Sequence, residues 1–311
     1  MDDEKILDAI VTGAGPAGVS CAVWLARLGF APVLLDVADQ IGGLCRDHPF
    51  TDDWNATLPD MTGPQVALNL ARSAQQAKVD TRLSSRVSKI QSEGSVWQVF
   101  LEGHSRPLRT RHVVLATGVR ARGLPQWPDN DTLPSGVLIG PGFAIVSQDF
   151  KDKRVAVLGG GDNAFENALY ALEHGAHEVV IFARRVRAQR QFVDQFPADR
   201  VVLGTCRVDV PQRHVNGQSW DLILVFYGWE ASVPAISGHT LRRTAQGFLD
   251  TSPATAQTSL PGLYAIGEVA QRMHPCVVTA LADGVTAAKA IQARLEAADG
   301  QAATEPSAWH P

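Results

Sequence analysis

A chain of 311 residues, 45% of them apolar, exceeds the size at which a single core keeps growing, so two domains are expected. The net charge of −4 and pI near 6.1 argue against nucleic acid or an anionic membrane surface as partner, since both favour a strongly basic surface, and leave room only for local basic clusters. No apolar run reaches the length of a membrane span, and the acidic opening Met1-Asp-Asp-Glu-Lys5 has the wrong charge for a signal peptide. Four cysteines, Cys21, Cys45, Cys206 and Cys276, stand far apart with neither metal-ligand nor Cys-x-x-Cys spacing, so no metal site is expected and a reducing cytoplasm fits.

The first element is an apolar strand, Ile6 to Thr12, running into the turn Gly13-Ala-Gly-Pro-Ala-Gly18. Helical spacing follows from Val19 to Leu28, and a second strand from Pro32 ends in Asp36. Glycines at such a turn let the backbone approach a pyrophosphate, whose charge meets the positive end of the helix. An acid about 20 residues beyond the turn accepts the ribose hydroxyls. Strand, turn, helix and acid together form a dinucleotide-binding fingerprint that rests on Gly13, Gly15, Pro16, Ala17, Gly18 and Asp36.

A loop rich in turn residues extends to about Thr62, and a helix is predicted from Pro64 to Gln76. Ser95 to Leu101 alternates as a strand, and Arg111 to Gly118 is an apolar strand closing on glycine. The Pro/Gly-rich stretch from Gly123 to Gly142 reads as a connection between domains. A second unit then repeats the first: strand Arg154 to Leu158, turn Gly159-Gly-Gly-Asp-Asn-Ala164, helix Asn163 to Leu172, strand Glu178 to Phe182. This strand ends in Ala183-Arg184-Arg185 where the first ends in an acid. Two guanidinium forks suit a phosphate on the ribose, which points to NADPH, and the alternative is a solvated basic face of Arg184, Arg185, Arg187 and Arg190. Further on, Leu260 to Val269 gives a strand ending in Gly267 and Glu268, Val277 to Leu295 a long helix, and the last fifteen or so residues a tail. His174, His177, His214 and His239 are expected at helix ends or loops, facing solvent.

Gly13 to Gly18, Asp36 with Gly42-Gly43, Ala116-Thr117-Gly118, Gly159 to Ala164 with Arg184-Arg185, and Gly262 to Glu268 with Asp283-Gly284 occur together and in order. On these motifs nearly the whole chain resembles the low-molecular-weight thioredoxin reductase family, including its ferredoxin/flavodoxin:NADP reductase branch. The resemblance implies an α/β fold of two Rossmann-like dinucleotide-binding domains, each a three-layer ββα arrangement. It implies an FAD domain of residues 1–118 and 244–296, interrupted by an NAD(P)H domain of 119–243, with a tail of 297–311. A homodimer and a small electron-carrier protein or small-molecule acceptor are the implied partners. Carried over by position, Gly13, Gly15, Pro16, Ala17, Gly18, Asp36, Gly43, Ala116, Thr117, Gly118, Gly267, Glu268, Cys276 and Val277 would hold FAD. Glu268 stands where the family has an aspartate on the ribityl-phosphate arm, and Pro275, Cys276 and Val277 would open a helix toward the flavin O2 edge. NADPH would fall to Gly159, Gly161, Asp162, Asn163, Ala164, Arg184, Arg185 and Arg190.

Two departures bear on activity. The family's thioredoxin reductases carry Cys-x-x-Cys just before the second glycine turn, and here Ile139 to Val146 holds no cysteine, which argues against dithiol chemistry. The family's His-Arg-Arg-x-x-x-Arg becomes Ala183-Arg184-Arg185 with Gln189 in the last place and Arg190 beside it, which weakens the preference for NADPH over NADH. The leading expectation is hydride transfer from NADPH to FAD and onward to an external carrier such as ferredoxin or flavodoxin. In that branch a C-terminal ring covers the partner subunit's flavin, a role Trp309 or His310 would fill. A second expectation is a single-cysteine disulfide or persulfide reductase using Cys276, at a helix N-terminus, or Cys45. His274 is a candidate proton donor beside the flavin. A third is a non-catalytic flavoprotein, suggested by the short segment between Arg190 and Trp229.

Overall fold

The computed structural model describes residues 6–51, 54–127, 132–298 and 300. Along the chain, β1 (Leu7–Thr12), α1 (Pro16–Arg27), β2 (Pro32–Leu35), α2 (Gly63–Gln76) and β3 (Asp80–Arg82) lead into an antiparallel run of β4 (Val87–Glu93), β5 (Val96–Leu101) and β6 (Leu108–Leu115). Then come β7 (Val119–Ala121), β8 (Val137–Ile139), α3 (Phe143–Val146), β9 (Arg154–Leu158), α4 (Asp162–Glu173), β10 (Glu178–Ala183), α5 (Arg190–Val193) and β11 (Val201–Leu203). Three short strands follow, β12 (Val208–Asp209), β13 (His214–Val215) and β14 (Gln218–Ser219). The chain ends through β15 (Leu222–Val225), β16 (Trp229–Ala231), β17 (Ala235–Ile236), β18 (Leu263–Ala265) and α6 (Val277–Ala298). Among the described residues no helix is long and apolar enough to cross a membrane.

The chain divides into two compact units, one of residues 1–46, 50–119 and 231–311 and the other of 47–49 and 120–230. In the first unit β3, β2, β1 and β6 lie side by side in parallel, the 3-2-1-4 order of a nucleotide-binding half. On the edge away from β1, strand β6 serves two neighbours, pairing antiparallel with β5 through its first residues and parallel with β18 through its last. Helices α1, α2 and α6 cover one face through Leu25, Leu70 and Ile291. A β layer covers the other face through Ile90, Trp97, Leu241 and Leu249. This is the three-layer ββα arrangement expected. The return to this unit comes at Ala231, before the expected 243 boundary, because β17 pairs with β4 and Leu241 is buried in the β-layer core.

The second unit is a five-stranded, all-parallel sheet in the order β11-β10-β9-β15-β8. Strand β15 and, after Arg154, β9 are buried and read as apolar runs, as strands covered on both faces must. The stretch from Gly123 to Gly142 belongs to this unit rather than linking domains: Leu124 is buried and Val137 pairs with Ile223 in β8, while 128–131 lie outside the described residues. The segment between Arg190 and Trp229, which reads as abbreviated, supplies β11, the β12–β14 sheet and β15.

Candidate functional site

Each unit carries its glycine turn at the point where strand order reverses, β1 against β6 and β9 against β15. A Cβ on Gly13 would stand 2.2 Å from the Ala116 carbonyl, and one on Gly159 would stand 2.3 Å from the Phe226 carbonyl, so both first glycines pack on the backbone leaving the opposite strand. The middle glycines behave differently. Gly15 and Gly161 have ordinary extended φ values of −76° and −99°, and a Cβ there would meet only the Gly43 Cα at 3.8 Å in one case and nothing within 4 Å in the other. Neither backbone conformation nor protein packing requires glycine at these two positions. An open amide face for a ligand's pyrophosphate does.

The helix termini agree. Both α1 and α4 begin at these glycines with no side-chain cap, leaving the first-turn N–H groups for an anion. Helix α2 has no such task, and there Gln65 Oε1 accepts the Thr62 N–H at 2.8 Å.

The two turns part company at the next strand. Asp36 follows β2, and its carboxylate accepts the backbone N–H groups of Ala14 and, at 2.7 Å, Ala38. It thus ties the first turn to β2 and keeps further lone pairs. In the second unit Gly159 N donates to Phe182 O just as Gly13 N donates to Leu35 O, so the register puts Ala183 in the place of Asp36. Removing the carboxylate removes its repulsion toward a ribose phosphate. Arg184, Arg185 and Arg187 then follow in an exposed loop, and Arg190, also exposed, pairs with Asp194 at 3.1 Å. Asp162 does not face open space: it accepts the Gln189 N–H at 2.7 Å and the Gln189 side-chain amide at 3.0 Å.

Near the end of the first unit, Glu268 sits in a short turn, Gly267–Val269, after β18. Its carboxyl is half-buried with no cation or hydrogen-bond donor among the described residues, and burial pushes its pKa up. A buried acceptor without donors fits a polyol such as a ribityl chain. Ala116, Thr117 and Gly118 close the switch point, with Ala116 N donating to Thr12 O at 2.8 Å and the Thr117 hydroxyl to Ser232 O. Gly43 approaches Gly15, so the loop after β2 also faces the first turn.

Cys276 is exposed at the start of α6 and caps it: its N–H donates to Thr279 Oγ1 at 3.2 Å, and Thr279 N–H lies 3.5 Å from its Sγ. Val277 is the first residue of α6 proper. The Thr279 hydroxyl reaches back 2.7 Å to the His274 carbonyl, and the His274 ring is exposed. Cys276, Glu268, Arg272, Thr279 and Asp283 line one small cleft. Cys45, by contrast, is buried in the short helical turn Gly43–Asp47. Trp309 and His310 lie outside the described residues.

Three features escaped sequence reasoning. Arg272 and Asp283 form a buried ion pair at 2.7 Å, their side chains 10% and 4% exposed, and Asp283 also accepts the Gly267 N–H at 3.0 Å. Burial pushes the Asp283 carboxyl up, while the Gly267 amide and the Arg272 guanidinium pull it down. Glu166, on α4 close behind the second turn, is pushed up to about 7 by burial and then by the charge of Asp162. His112 in β6 is buried and pushed down to about 4 by burial, with Arg294 and Arg111 adding to the effect.

Each of the two Rossmann sheets carries an open glycine cradle, one followed by an acid and one by arginines, the arrangement of a protein class with two dinucleotide-binding units. Residues 7–202 match the pyridine nucleotide-disulphide oxidoreductase family, and the chain belongs to that family. It is an oxidoreductase working with FAD and a pyridine nucleotide. It is 24% identical over 303 residues to a thioredoxin reductase of Mycolicibacterium smegmatis, with 91% of this chain and 95% of that protein covered. It is 29% identical over 290 residues to a ferredoxin–NADP reductase of Limosilactobacillus fermentum, with 85% and 86% covered. The fold matches the crystal structure of thioredoxin reductase from T. acidophilum with a TM-score of 0.76 at 21% identity, over 94% of this chain and 99% of that one.

Proposed function

We propose that the protein transfers reducing equivalents from NADPH, held by the second unit, through FAD, held by the first, to a separate low-potential carrier of the ferredoxin or flavodoxin kind. The observation that carries the reading is the pairing of two open cradles with the absence of a dithiol. Ile139 to Val146, where thioredoxin reductases of the family have Cys-x-x-Cys, instead forms the end of β8 and the short helix α3. With no pair of neighbouring thiols there, no internal disulfide can relay electrons to thioredoxin.

FAD, when bound, supplies the hydride acceptor and the electron store. The chain's own groups bind and orient. Amides of α1 beyond Gly15 receive the FAD pyrophosphate, Asp36 the adenosine ribose and Glu268 the ribityl hydroxyls. The first turn of α6, opened by Pro275, Cys276 and Val277, would lend the positive end of its helix dipole to the reduced flavin. Gly161 and α4 receive the NADPH pyrophosphate, with Arg184 and Arg185 on the 2′-phosphate. A homodimer in the cytoplasm completes the reading, checked by light scattering of the purified holoprotein and by fractionation.

Anaerobic titration decides it. NADPH should bleach the flavin with a lower requirement than NADH, and ferredoxin or flavodoxin should restore the absorbance in stopped flow. If NADPH bleaches the flavin and no carrier reoxidises it, the acceptor assignment fails. A second reading is favoured by the exposed Cys276, whose Sγ faces the Glu268 cleft: attack on a small disulfide or persulfide. Unchanged turnover of Cys276→Ser on every disulfide tested removes it.

A further inference from the structure

The loop that carries the arginines is fastened to the second glycine turn at successive points. Gly160 lies so close to the Arg185 carbonyl that a Cβ would stand 2.2 Å from it. The Gly160 carbonyl accepts Arg187 N–H at 2.6 Å and Ala188 N–H at 2.9 Å. Asp162, in the first turn of α4, then takes both donors of Gln189. Gln189 is also the residue preceding α5, so its fixed backbone sets where that helix begins.

This arrangement answers a difficulty. A carboxylate in the first turn of a helix that receives a pyrophosphate opposes the ligand's charge. Two donors on Asp162 hold it on the loop side and turn its charge into a tether. Arg184 and Arg185, exposed and without an ion-pair partner among the described residues, are the side chains the tethered loop displays.

We infer that Asp162, acting through Gln189, is a positioning residue for recognition of the ribose 2′-phosphate, fixing the Arg184–Arg185 loop without itself touching the ligand. The inference rests on the reading of the second unit as the NADPH site. Pre-fixing the loop spares the ligand the cost of ordering two long side chains on a free segment. Discrimination between a phosphorylated and a bare ribose then depends on a contact outside the phosphate pocket.

Calorimetric binding of 2′,5′-ADP and of 5′-AMP to the FAD-saturated protein tests this without any turnover. The native protein should bind 2′,5′-ADP about tenfold or more tightly than 5′-AMP, the value of one charge-assisted contact. Asp162→Ala should abolish most of that ratio while changing 5′-AMP affinity less than about twofold. Gln189→Ala should do the same, and the double variant should go no further, since both act on one tether. Asp162→Asn, which still accepts from the Gln189 backbone but not from its side chain, should give an intermediate ratio. Retained FAD absorbance and melting midpoint certify the fold of each variant. An unchanged ratio in Asp162→Ala, or equal tightening of both ligands, overturns the inference and leaves the NADPH reading standing. A native protein with no preference for 2′,5′-ADP overturns both.

Discussion

Gly15 and Gly161 occupy equivalent places in the two turns and make the sharpest single-residue test, because a Cβ at Gly161 meets nothing within 4 Å and one at Gly15 only an ordinary contact of 3.8 Å with the Gly43 Cα. Gly15→Val should fold and lose FAD. Gly161→Val should fold, stay yellow and resist bleaching by NADPH, with rates in stopped flow lowered by about a hundredfold or more if the pyrophosphate is displaced. Gly13 differs, since its Cβ would collide with Ala116, and Gly13→Ala should lower the yield of folded protein itself. His112 provides a pH signature. Its folded pKa of about 4 lies below the ordinary 6.5, so the unfolded chain binds the extra proton between these values. Stability contributed at this site is full above about pH 6.5 and lost as pH falls toward 4, by roughly 3 kcal/mol over that span. Urea unfolding of the native protein and His112→Leu at pH 5 and pH 7.5 should show the difference, the variant losing less on acidification.

At the scale of elements, α1 and α6 pack so closely that a Cβ on Gly284 would stand 2.6 Å from the Ala17 carbonyl and 2.7 Å from the Cys21 nitrogen. Gly284→Val should therefore lower stability by about 1–3 kcal/mol and release FAD, because it pushes α6 away from the first glycine turn. The ion pair between Arg272 and Asp283 joins α6 to the segment behind β18. Removing one partner strands a buried charge at a cost of about 3–5 kcal/mol, so Asp283→Leu alone should destabilise far more than Arg272→Met with Asp283→Leu together. Denaturant melts of the three proteins check this. Much of the architecture was legible beforehand, since β1, β9, β10 and α2 follow directly from apolar period and turn residues. What escaped depends on contacts between distant segments. The sequence places Asp162 in a glycine turn and Gln189 in a broken arginine motif, but only the loop's path brings them together. The stretch around Gly123 to Gly142 misled for a related reason, because Pro and Gly mark a turn whether it joins domains or, as here, leads into an edge strand.

For the whole molecule the two units have different titration behaviour, and each can be read separately. Glu166, pushed up to about 7, makes the second unit bind a proton that its unfolded chain releases near the ordinary 4.5. Stability contributed there is full below about pH 4.5 and lost as pH rises through about 7. Glu166→Gln should flatten that dependence in calorimetric scans. The division of β6 has a further consequence, for the order in which the protein comes into being. Its last residues wait for β18, and α1 waits for α6, both made at the far end of the chain. The second unit, almost wholly contiguous from Arg120 to Glu230, has all five strands of its parallel sheet once Val225 leaves the ribosome. Synthesis thus finishes the middle before the beginning. A released chain ending at Glu230 should present a protease-resistant inner unit beside a digestible opening segment, and only the last eighty or so residues should turn the latter resistant.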